Sequence, residues 1–206
     1  MRGRADAIGG LRLVGAISAV ITAATLIFAA RDDFGEQGLR MALHFTARSS
    51  LILFLLAFSA SSLARLWPGP GTQWLLRNRR YLGLSFAASH AIHAVAIVAF
   101  ATTAPLAFRA ATSLVTYIFG GIGYALIIAL AATSFDRTAA MIGPGAWKTL
   151  HKTGGFYLWA QFSVSFAQHH DGTPIYWLFL FLLAAAMLLR LAAWLLARRP
   201  AAARAG

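Results

Sequence analysis

Six long apolar stretches dictate what this chain can become. They run at about 13–30, 49–67, 81–102, 111–133, 150–168 and 175–196, each close to the ~20 residues that an α-helix needs to cross about 30 Å of hydrocarbon. Inside a bilayer every backbone N–H and C=O must be satisfied within the protein, so a spanning segment is either a helix or a strand of a closed barrel. A barrel strand alternates lipid-facing and lumen-facing residues. Leu51 to Phe58 is almost continuously apolar, which fits a helix. The first stretch is long for the apolar region of a cleaved signal peptide, and Phe28-Ala29-Ala30-Arg31-Asp32 is a poor cleavage signal. The expectation is an all-α, polytopic membrane protein: a single domain over residues 1–206, folded as a six-helix transmembrane bundle with short loops.

Composition agrees and raises one question. The 206 residues are 59% hydrophobic and 12% charged, where soluble domains carry about 25% charged residues. Cysteine is absent, which excludes disulfides, thiolate metal sites and thiol catalysis. The formal net charge of +12 would suit either nucleic acid or a membrane surface. Its distribution decides. Of the 18 Lys and Arg residues, all but Arg31, Arg40, Arg48 and Arg109 fall on one side of the predicted bundle, in segments 2–12, 65–80, 137–152 and 190–204. The positive-inside rule then places both termini in the cytoplasm. Charge spread over four short segments forms no single basic face, so nucleic acid is excluded as a partner. Topology and contact with anionic lipid account for most of it. The cluster Arg77-Asn78-Arg79-Arg80 is the densest of these segments and the foremost candidate for docking an acidic partner or a phosphate group. Trp67, Trp74, Trp147 and Trp177 fall near predicted helix ends, where aromatic belts belong.

No Gly-x-Gly-x-x-Gly follows a strand and no P-loop is present, so a flavin or nicotinamide site of the chain's own is not expected. Gly120-Gly121-Ile122-Gly123 lies inside the fourth stretch and reads as a face for close helix packing. Ser85, Ser89, Thr133 and Ser134 read as polar groups between helices. Acidic residues are missing from the helix centres, and the ionisable groups there are histidines, chiefly His90 and His93, with His44, His151, His169 and His170 nearer the boundaries. That argues against a pump built on buried carboxylates. Neutral imidazole coordinates haem iron or another transition metal. His90 and His93, three apart on one helical face, sit about 15 Å and about 20 Å from Arg80 along the axis. His151 lies near the cytoplasmic side, while His44, His169 and His170 share the outer boundary. Zinc or copper is disfavoured because no Cys, Met or carboxylate cluster matches these depths.

Three stretches together resemble the ferric-reductase-like transmembrane family, in the MsrQ-like branch of haem-binding membrane subunits of the bacterial methionine sulfoxide reductase system. The first is His44-Phe45-Thr46-Ala47-Arg48 with the apolar run ending Leu63-Ala64-Arg65. The second is Arg79-Arg80-Tyr81-Leu82-Gly83-Leu84 with the helix carrying His93. The third runs from Ala132-Thr133-Ser134 through Trp147-Lys148-Thr149-Leu150-His151 to Tyr157. The resemblance implies that His93 stands where the family's third helix ligates haem and that His151 is the first fifth-helix histidine. The family's second fifth-helix histidine is replaced by Val164, whereas His90 is additional. Read as a ligand exchange, this gives one haem b held by His151 with His90 or His93, and one or two haems in all. By depth, the best-fitting pairs are His90 with His151 and His93 with a partner from the outer half, and His44 is kept among the haem-binding candidates.

On that resemblance the chain is an integral-membrane b-type cytochrome, an electron-transfer subunit. Its donor would be a cytoplasmic flavin reductase or quinol, bringing flavin or quinone through the partner. Its acceptor would be a periplasmic oxidoreductase, ferric iron or another oxidant. The rival expectation is a haem-free scaffold or small-solute channel that keeps the fold without redox activity, supported by the loss at Val164. A transporter is disfavoured, since no internal repeat or pair of broken helices is evident.

Overall fold

The structure, a computed structural model, describes residues 9–168 and 173–198. The arginines at 2, 4, 199 and 204, together with His169, His170 and Asp171, lie outside the described residues. Among the described residues there is no strand. Eight helices follow one another: α1 (Gly10–Ala30), α2 (Glu36–Leu66), α3 (Pro70–Arg77), α4 (Arg79–Thr103), α5 (Pro105–Ala111), α6 (Leu114–Ala132), α7 (Asp136–Gln168) and α8 (Pro174–Arg198). Five of them, α1, α2, α4, α6 and α8, are long and apolar enough to cross a membrane. The chain is thus all-helical and multi-pass in character.

Two boundaries depart from the hydropathy reading. Helix α2 begins at Glu36 and not near residue 49, so His44, Arg40 and Arg48 stand on a helix and not in a loop. At 31 residues it is about 46 Å long, more than a bilayer core requires. Its polar first turns escape a hydropathy window, but they are helical for local reasons. The Asp32 carboxylate accepts from the backbone N–H of Gln37 and Gly38 at 2.9 and 3.2 Å, capping the helix start. Glu36 pairs with Arg40 at 2.9 Å one turn on. Gly38 is required there, because a Cβ would lie 2.3 Å from the Ala29 carbonyl oxygen where α1 meets α2.

The second departure is in α7. Its regular path breaks at Gly143, whose φ of 75° favours glycine, and Pro144 restarts the helix. The part after the break contains the predicted 150–168 stretch, yet α7 is not among the five strongly apolar helices. Lys148, His151, Lys152, Gln161 and Gln168 dilute its hydropathy.

Helices α2 and α4 form the most extensive contact, with α1 laid across both and α8 against α2. The core is aromatic: Phe54 lies 5.1 Å from Phe58, 5.6 Å from Phe86 and 5.4 Å from Phe162. One polar pair crosses it, Ser50 Oγ to Ser89 Oγ at 2.8 Å, with both residues fully buried. Small hydroxyl residues let helices approach while satisfying each other. Two arginines tie α2 to α8: Arg65 donates to the Ala193 carbonyl at 3.2 Å and Arg190 to that of Phe58 at 2.8 Å. Helix α6 packs mainly on α7 and buries only Gly123 and Ile127.

Candidate functional site

Two cavities open along the bundle. One, about 500 Å³, lies toward the end where α1 meets α2. The other, about 310 Å³, lies toward the opposite end, which carries Arg79, Arg80, Lys152 and Arg190. Helix α6 lines both, through Gly120, Gly121 and Tyr124 on the first and Ile127, Leu130 and Ala131 on the second.

His93 and His44 both line the larger cavity. The state of the His93 ring follows from its neighbour. Thr46, fully buried on α2, places its hydroxyl 2.8 Å from His93 Nδ1 and 2.8 Å from the Ala42 carbonyl oxygen. With the carbonyl and imidazole contacts both taken as hydrogen bonds, the single hydroxyl proton goes to the Ala42 or Leu43 carbonyl and the threonine oxygen accepts from Nδ1–H, which assigns the tautomer from the network. The neutral ring then carries its lone pair on Nε2. A histidine whose second nitrogen donates to a fixed acceptor is the arrangement in which imidazole ligates metals.

His90 stands one turn away, its ring 5.2 Å from that of His93, 4.9 Å from Tyr124 and 5.5 Å from Phe86. It thereby sits between residues of the two cavities, since His93 and Tyr124 line the larger and Phe86 the smaller. Its Nδ1 is buried with no hydrogen-bond partner. An unsatisfied nitrogen in such a place costs about 1–3 kcal/mol, so this atom invites a ligand or a rearrangement of the ring.

The glycines of α6 are corrected by their surroundings. A Cβ on Gly120 or Gly121 would meet nothing within 4 Å. These two glycines do not pack a neighbouring helix; they flatten a wall of the larger cavity. Gly123 alone behaves as a packing position, facing the Tyr157 ring at 3.9 Å.

His151 belongs to the smaller cavity, in whose lining neither His90 nor His93 appears. Its Nε2 lies 3.0 Å from Thr133 Oγ1, and that hydroxyl lies 2.7 Å from the Ala129 carbonyl oxygen. By the same count of protons, Nε2–H donates to Thr133. The ring stacks on Trp147 at 4.4 Å, and the Trp147 indole N–H donates to the Thr133 carbonyl at 2.9 Å. His151 therefore ties the start of the straight part of α7 to the end of α6. Val164 is 53% exposed and lines neither cavity, whereas its neighbours Ser165 and Phe166 line the larger one. Among the described residues no group of three or more His, Cys, Asp or Glu side chains gathers as a metal site.

Thr46, the Gly120–Gly121 pair and Arg190 contribute more than the sequence assigns them. Thr46 is separated from His93 by 47 positions and has no local signal. Gly120 and Gly121 gave a signal that fits packing equally well. Arg190 is legible: an arginine six residues inside the end of the last apolar stretch is a functional candidate by its cost alone, beyond its weight as a topology charge.

The chain matches no profile of a known protein family, no characterised protein and no solved structure. The resemblance to the ferric-reductase-like family rests on the three motif stretches alone.

Proposed function

We propose that this chain is a b-type cytochrome of a bacterial inner membrane, a six-span bundle with both termini cytoplasmic, carrying one haem in the larger cavity. The observation that carries the reading is the 2.8 Å contact between Thr46 Oγ1 and His93 Nδ1, which leaves Nε2 as the ring nitrogen available to a ligand. The residues present fit the group. The cavity of about 500 Å³ falls within the roughly 300–1,000 Å³ of small-molecule sites. Gly120 and Gly121 leave a flat wall that a Cβ would fill, and the orphaned Nδ1 of His90 adds an unused polar atom beside it. His93 would hold the iron, with His44 as the second imidazole on the same cavity. This pairing has better support than His151 with His90 or His93, because His44 and His93 line one cavity and His151 lines the other. Haem supplies one-electron chemistry when bound. The protein supplies the ligands and a surrounding of low polarity, built by Phe100, Phe108 and Phe166. By resemblance, a cytoplasmic flavin reductase or quinol is the donor, and a periplasmic oxidoreductase or ferric iron the acceptor.

The test is an absorption spectrum of protein purified from a haem-sufficient host, oxidised and then dithionite-reduced. The expected result is a bis-histidine Soret and α-band, lost in His93→Ala. A colourless preparation, or a native spectrum in His93→Ala, overturns the reading. The haem-free scaffold keeps one observation in its favour: Thr133 and Trp147 already give His151 a purely structural part.

A further inference from the structure

The smaller cavity has no role in this reading. It offers a single histidine whose Nε2 is engaged, so it does not fit a bis-histidine haem. Its composition is instead that of an amphiphile site. Arg79, Arg80, Lys152 and Arg190 line it against one carboxylate, Asp136. That carboxylate is 97% exposed and bonded to Arg80 Nη1 at 3.0 Å, and Arg80 Nε remains buried with no partner. Arg190 lies about 12 Å from the end of α8, counting eight residues to Arg198. Its guanidinium is fixed 4.1 Å over the Phe58 ring while donating to the Phe58 carbonyl. Below this cationic rim the lining is Phe54, Phe86, Ile127, Leu130 and Leu158. Gly83 belongs to the lining too, and a Cβ there would meet nothing within 4 Å.

We propose that this basic cavity binds one anionic phospholipid, its phosphate held by Arg79, Arg80, Lys152 and Arg190 and an acyl chain lying along the apolar floor. Four cations against one exposed carboxylate favour an anion over a neutral amphiphile. The apolar floor favours a phosphate that carries a chain over a free one. Basic pockets between helices at the cytoplasmic side are where anionic headgroups bind, each nearby Lys or Arg contributing about 1 kcal/mol, or roughly fivefold in affinity. The proposal does not depend on the haem reading.

The experiment is native mass spectrometry of the delipidated full chain titrated with phosphatidylglycerol or with phosphatidylethanolamine. The wild type should retain a single phosphatidylglycerol, with phosphatidylethanolamine bound far more weakly. Arg80→Gln should weaken phosphatidylglycerol roughly fivefold. Gly83→Leu, which fills the floor without touching a charge, should abolish the adduct. Arg198→Gln, whose guanidinium sits 3.8 Å over Trp194 and lines neither cavity, should leave it unchanged. Equal retention of both lipids overturns the proposal, and so does a loss in Arg198→Gln matching that in Arg80→Gln. Glycerol 1-phosphate competing as well as phosphatidylglycerol would mean a soluble phosphate site, and overturns it too. The Soret band of the same samples reports the haem reading separately.

Discussion

Replacing Thr46 by valine removes one hydroxyl and almost no volume. The Ala42 carbonyl keeps its helical N–H partner, so the change falls on His93, whose Nδ1–H loses the acceptor it now holds at 2.8 Å. The ring then has two options. It moves the proton to Nε2 and withdraws the lone pair from the cavity, or it keeps the ligating tautomer with an unsatisfied N–H in a buried setting. The second option costs about 1–3 kcal/mol, which at 1.4 kcal/mol per decade weakens iron ligation by about 5- to 150-fold. That brackets the 10–100-fold typical of lost outer partners of a metal-bound histidine. The assay is titration of haem-free protein with haem b, followed at the Soret band, with a potentiometric titration of the bound haem alongside. Thr46→Val should bind in the weakened range and show a raised midpoint potential, because the anchored N–H makes imidazole more basic and favours ferric iron. Thr46→Ser should behave as wild type. If Thr46→Val binds with wild-type affinity while His93→Ala does not bind, the tautomer argument is wrong. If both bind as wild type, His93 is not the ligand.

Other consequences are open to measurement. The double change Gly120→Ala, Gly121→Ala should stabilise the haem-free protein by about 1–2 kcal/mol in detergent unfolding, as alanine replaces glycine in a helix, while weakening haem binding; a destabilised haem-free protein would restore the packing role. His151→Phe should keep the stack on Trp147 and the haem spectrum, losing about 1 kcal/mol with the Thr133 bond; a vanished α-band would return His151 to the ligand set. Ser50→Ala or Ser89→Ala should each cost about 0.6 kcal/mol, the average for hydrogen bonds between membrane helices, and no more than their maximum of about 1.7 kcal/mol, and the double variant should cost no more than either single one. Additive losses in that cycle would show that the two hydroxyls are satisfied independently.

The apolar stretches were readable because hydrocarbon imposes a length and a composition on anything that crosses it. For α1, α4, α6 and α8 the expected limits agree with the helices to within a few residues. Helix α2 starts thirteen residues earlier, since Asp32 capping and the Glu36–Arg40 pair extend a helix without adding hydrophobicity. The break at Gly143 and Pro144 lay outside the predicted fifth stretch and was passed over, though Gly-Pro is a strong local signal. The histidines were legible as a group, because ionisable side chains at that depth stand out. Their partition was not. Whether His151 shares a cavity with His90 depends on how α6 and α7 sit against α4, and spacing along the chain carries no information about that. The tautomer of His93 was equally hidden, being set by a threonine on another helix.

Helix α6 forms a side of both cavities while burying only Gly123 and Ile127 of its own residues. A wall joined to the bundle mainly along α7 is secured on its other side by what it encloses. Seating α6 and filling the cavities are then linked equilibria: a guest that binds only the closed bundle stabilises that helix by RT ln(1 + [L]/Kd), about 2.7 kcal/mol at a hundredfold excess over Kd. Amide exchange along α6 should therefore report occupancy, fast in the emptied protein and slow in the filled one. A bulky guest that enters by displacing α6 needs no separate portal.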